Sequence, residues 1–131
     1  MGYTHYWEHD EISEANWLKL VGRVKNLFAQ SPVPLAGWDG NGEPVATGTE
    51  IRFNGAVPED YETFWLTRER IDFAFCKTEF RPYDLIVTSV LLIAHRSVPH
   101  FKIRSDGVWD AWLDARDFIK DHGDCPWPAR S

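Results

Sequence analysis

The chain has only two cysteines, no apolar run of membrane-spanning length and fewer basic than acidic residues. Each shortage removes a class of function. Cys76 sits in an apolar segment and Cys125 in a proline-rich tail, so no disulfide framework is expected and a reducing, cytoplasmic setting fits best. The longest apolar run, near residues 87–94, falls far short of the roughly 20 residues that cross a bilayer. The opening residues carry neither a basic lead nor an apolar stretch of signal length, and no membrane partner is expected. With Lys and Arg numbering 14 against 20 Asp and Glu, the formal net charge is −6. Nucleic-acid backbone binding, which runs on clustered cations, is not expected. A basic partner would suit the chain better, although the acids are spread along it in the manner of an ordinary soluble surface. The glycines of the segment GWDGNG, residues 37–42, lack the Lys-Ser/Thr and the helix that follow a phosphate-cradling loop, and read as a turn.

Aromatic residues are plentiful: they make up 15% of the chain and include seven Trp. That is more ring area than a small core takes in, which predicts an exposed aromatic patch. A chain of 131 residues buries about two-thirds of its extended surface as one domain, here 1–123, with 124–131 as a tail.

The segment 73–94 is the one the others must cover. Residues 85–94 hold only two polar side chains, Thr88 and Ser89, so a helix from about Tyr83 to His95 is apolar on nearly every side and belongs in the core. Before it, a first strand runs to Trp7 with Tyr3, His5 and Trp7 on one face, followed by a helix capped by Ser13 that repeats Trp17, Leu20, Val21, Val24 and Leu27 on one stripe and ends at Ser31-Pro32. Strands are predicted over 34–38, 50–53, 64–67 and 73–78. After the core helix come a strand over 101–105, with Phe101 and Ile103 on one side, and a last helix opened by Asp106-Gly107, carrying Trp109 and Trp112 and closed by Gly123. The order β-α-β-β-β-β-α-β-α predicts an α+β two-layer sandwich: a mostly antiparallel sheet with helices on one face and the other face left open or covered by a partner.

Reactive residue types gather where the strand meets the core helix. Phe73, Phe75 and Lys77 share one face of the strand, and Ala74, Cys76 and Thr78 the other. Lys77 at the end of an apolar row pairs naturally with Asp84 in the first helical turn, either as a structural pin or as an anion contact at the helix N-terminus. Cys76 would be a nucleophile if His5 approached it from a neighbouring strand, but a cysteine in an apolar strand is more often an inert hydrophobe. No metal site is expected. His5 and His9 lie about 13 Å apart along an extended segment. The calcium-like spacing Asp39, Asn41, Glu43 and Glu50 has Pro44 where the loop needs glycine.

Residues 1–7 (MGYTHYW), the Phe53-Asn54-Gly55 turn, Phe75-Cys76-Lys77-Thr78 with Pro82-Tyr83-Asp84, and Ser105-Asp106-Gly107 together resemble a group of small proteins of bacteria and their phages. The resemblance runs to about residue 122. It implies no particular activity, but it does imply that His5, Asn54, Lys77, Tyr83 and Asp84 belong to a shared pattern. Without a convincing catalytic set or any cofactor motif, the chain reads first as a binding module for a protein partner. The alternatives are an enzyme or sensor for an anionic small molecule such as a nucleotide, built on those five residues, and a homo-oligomeric component.

Overall fold

A computed structural model describes residues 3–106 and 112–122. Gly107, Trp109, Gly123, Cys125 and the tail lie outside the described residues. The chain runs β1 (Thr4–His9), α1 (Glu14–Gln30), β2 (Leu35–Ala36), β3 (Val45–Ala46), β4 (Glu50–Gly55), β5 (Phe64–Thr67), β6 (Ile71–Lys77), α2 (Asp84–Ser97), β7 (Lys102–Ser105) and α3 (Leu113–His122). This is the α+β order read from the sequence, with the two-residue β3 added. All pairings are antiparallel.

The strands form two sheets where one was expected. The first has the order β6-β1-β7; in the second, β4 pairs with β2, β3 and β5. They meet where the Glu62 amide donates to the Lys77 carbonyl at 3.2 Å. The break follows from the loop between β4 and β5, which the buried Asn54 pins internally: its amide donates to the Tyr61 carbonyl and Thr63 Oγ1, and its carbonyl accepts from Gly55 N and Tyr61 N. Gly55 permits this close return, since a Cβ there would meet the Glu59 carbonyl oxygen at 2.6 Å.

α2 is the core helix. Residues Ile86 through Ala94 are all buried, and each Leu, Ile or Val among them contributes roughly 1.5–3 kcal/mol by leaving water. Its two buried hydroxyls bond within the helix itself: Thr88 Oγ1 donates to the Asp84 carbonyl and Ser89 Oγ to that of Leu85. α1 supplies cover with the predicted stripe of Trp17, Leu20, Val21, Val24 and Leu27. Ser13 caps it by accepting from Asn16 N, and Trp17 Nε1 donates to the Thr47 carbonyl at 2.9 Å. The expected opening of the last helix at Asp106-Gly107 runs into residues outside those described; α3 is described from Leu113. Asp106 itself continues the β1–β7 pairing, its amide donating to the Thr4 carbonyl and its carboxylate accepting from Thr4 N.

Candidate functional site

Alternation along β1 turns His5, Trp7 and His9 inward and Tyr6 outward. His5 stands between Cys76 on β6 and Ser105 on β7 in the strand register. Its side chain is fully buried, and both ring nitrogens are used: Nε2 lies 2.6 Å from Asp84 Oδ1 and Nδ1 2.8 Å from Ser105 Oγ. A carboxylate only accepts, so Nε2 carries the proton and Nδ1 takes the hydrogen bond from the Ser105 hydroxyl. Thr78 Oγ1 donates to the same Asp84 oxygen at 2.6 Å, and Asp84 stands in the first turn of α2, where the helix dipole favours a negative charge. Tyr3 and Trp112 meet the imidazole edge-on, at 4.8 and 5.1 Å between ring centroids. Burial pushes the Tyr3 phenol up to about 12, so it stays protonated.

The five residues expected to share one pocket divide into three groups. His5 and Asp84 are joined. Tyr83 and Asn54 are engaged in packing: the Tyr83 hydroxyl donates to the Glu62 carbonyl, and Asn54 is saturated by its own loop. Lys77 is on the far side of the sheet. It pairs with Thr4 in register, in the row of Phe75, and its amide donates to Glu62 Oε1. Among the described residues no Lys77–Asp84 ion pair forms, because His5 occupies that carboxylate from the inner face. Cys76 does face inward beside His5, but its thiol points to the Glu62 carbonyl at 3.5 Å. Burial, reinforced by the Glu62 charge, raises its pKa well above the ordinary thiol value and leaves it unreactive. Ser105, Thr78 and Tyr3 are the members of the buried chain not anticipated above. The available signal was period two: Ser105 shares the side of Phe101 and Ile103 on its strand.

Two clefts flank this chain. One, of about 470 Å³, reaches Asp84 between Tyr3, Phe80, Arg81 and Thr88; the Asp84 side chain is 15% exposed. The other, of about 360 Å³, has Ser105 in its wall with Leu92, His95, Arg96, Ile103 and Trp112.

The outer face of the first sheet differs in kind. Phe73 and Phe75 are 62% and 51% exposed, Tyr6 lies beside Phe73 with ring centroids 5.9 Å apart, and the Arg104 guanidinium sits 5.3 Å above the Tyr6 ring. Beyond β6 a second exposed aromatic pair, Trp38 and Trp65, meets edge-on at 5.7 Å, with Arg52 over Trp38. Of the five tryptophans among the described residues, Trp7, Trp17 and Trp112 are buried and only these two are wet.

Among the described residues no group of three or more His, Cys, Asp or Glu is placed to hold a metal ion, and no helix is long and apolar enough to cross a membrane. No protein-family model, curated protein or solved structure matches this chain.

Proposed function

We propose that this protein is a binding module that engages a protein partner through the outer face of the β6-β1-β7 sheet. The observation that carries this reading is the row of large rings left wet there. Phe73 and Phe75, each more than half exposed, are the residue type that supplies interface hot spots and that a lone soluble surface keeps few of. In the strand register Lys77, Lys102 and Arg104 share this face with Phe75 and Tyr6 against Glu8, and the Asp106 and Glu62 carboxylates reach it at the Tyr6 hydroxyl and the Lys77 amide. The charges around the rings are balanced, which suits a partner with an apolar patch rimmed by charges of both signs. The resemblance to bacterial and phage proteins makes a host protein, such as a component of a defence system, the first class to test.

The test captures a partner from bacterial lysate with the wild-type chain, identifies it, and repeats the binding with both proteins purified. Replacing Phe73→Ser together with Phe75→Ser is expected to weaken binding at least tenfold, while Leu18→Ser, at an exposed position on α1, leaves it unchanged. Equal binding by the wild type and the double variant removes the proposed surface. Light scattering that shows a dimer abolished by the double variant assigns the face to a second copy instead, and salt-sensitive binding of a single-stranded oligonucleotide through the same rings assigns it to nucleic acid.

A further inference from the structure

We propose that Ser105, His5 and Asp84 form a nucleophile, base and orienting acid for acyl transfer, hydrolysing small carboxylic esters that carry a negative charge. The proposal is independent of the outer sheet face, since the three residues lie on the other side of β1. Its first support is connectivity. Ser105 Oγ is 2.8 Å from His5 Nδ1, and His5 Nε2 is 2.6 Å from Asp84 Oδ1, so a hydroxyl, an imidazole and a carboxylate form an unbroken series in which each group is positioned by the next. The carboxylate fixes the tautomer that leaves a lone pair on Nδ1, directed at the Ser105 hydroxyl. Which ring nitrogen faces the serine does not alter the chemistry, because either one, once the other holds the proton, is the basic atom.

The second support is restraint. Thr78 holds the Asp84 oxygen, and two edge-on rings hold the imidazole plane, so the base is set before any substrate arrives. The third is access. Ser105 is part of the wall of the 360 Å³ cleft and is partly exposed, whereas His5 behind it is dry. The cleft sets the substrate class. Leu92, Ile103 and Trp112 suit a short carbon chain, and Arg96 in the same wall suits a terminal carboxylate or phosphate.

The reaction balances with water as the only co-reactant. Ser105 Oγ bonds to the ester carbon as its proton passes to His5 Nδ1, and the carbonyl electron pair moves onto its oxygen. The carbon–alkoxide bond then breaks and the alcohol leaves with the proton from Nδ1. Water attacks the acyl-serine, again giving its proton to Nδ1; the carbon–Oγ bond breaks, Oγ recovers that proton, and the free acid departs. Throughout, Asp84 stabilises the imidazolium and acts as a positioning residue.

The experiment uses the full chain, an alkyl fluorophosphonate and two chromogenic esters: mono-4-nitrophenyl glutarate, which is anionic, and neutral 4-nitrophenyl butyrate. Expected are covalent labelling located on Ser105 by peptide mass spectrometry, glutarate ester hydrolysis at least tenfold faster than that of the butyrate ester, and loss of both label and turnover in Ser105→Ala. Asp84→Asn is expected to lower kcat about a hundredfold with KM nearly unchanged, a split that a purely structural role would not produce. Equal activity in Ser105→Ala, or the absence of a Ser105 label on wild-type protein shown by circular dichroism to be folded, overturns the proposal and leaves the three residues as a pin between β1, β7 and α2. Equal rates on the two esters overturn the anionic substrate class.

Discussion

The two sides of β1 obey opposite rules, although a single residue step separates them. Inward, His5 is fully buried and both of its nitrogens are partnered; outward, Tyr6 lies among rings that remain in water. The same contrast recurs on β6, where Cys76 is dry and hydrogen-bonded while Phe73 and Phe75 are wet. Burial forces polar groups to find partners, because an unmatched donor or acceptor there costs about 1–3 kcal/mol. Exposure of an aromatic ring carries no such compulsion, so large rings left outside are the part of the molecule that folding alone does not explain.

The sharpest way to break the contrast is from the inside. Asp84→Ala strands a buried imidazole and the Thr78 hydroxyl together, and urea denaturation is expected to show a loss of about 3 kcal/mol. Asn54→Ala comes next: it removes a side chain with four hydrogen bonds to Gly55, Tyr61 and Thr63. A loss of about 2 kcal/mol is expected, together with faster proteolysis within residues 56–63.

A smaller, pH-dependent effect belongs to His9. It is buried and stacked on Phe101 at 5.1 Å, and desolvation lowers its pKa below the ordinary 6.5 despite the hydrogen bond to the Asp10 carbonyl. The unfolded chain therefore binds the proton more readily than the folded one. Stability is fully present above pH 6.5 and is lost as the pH falls from there through the folded-state value. Urea midpoints are expected to drop on acidification in the wild type and to drop less in His9→Gln. The smallest effect on stability lies outside: Phe73→Ser with Phe75→Ser is expected to stay within about 0.5 kcal/mol of the wild type while weakening the proposed partner binding at least tenfold. A large loss of stability there would show that the rings support the fold and would erase the distinction between the two sides.

Much of the scaffold was legible before any coordinates. An all-apolar run can only be a core helix, and α2 is one; Ser13 and the Trp17-to-Leu27 stripe announced α1 through capping and helical period. The candidate site was half legible. His5 and Asp84 were both named, but Asp84 was matched to Lys77, because the period of two says which residues share a face and not which face turns inward. Once the Cys76 row faces the core, Lys77 is carried to the other side. Ser105 was named only within the resemblance and given no role, because that role depends on β7 pairing with β1 across about a hundred residues, a register that local patterning does not encode.

Local chemistry by itself determined the element types, their order, the core helix and the surplus of aromatic rings, because period, capping and apolar content act over a few neighbouring residues. Only the tertiary structure decided that there are two sheets, which row of β6 is wet, and that Ser105, His5 and Asp84 meet. Those outcomes rest on contacts between residues 79 to 100 positions apart, which form only when burial of the whole core selects one pairing of the strands.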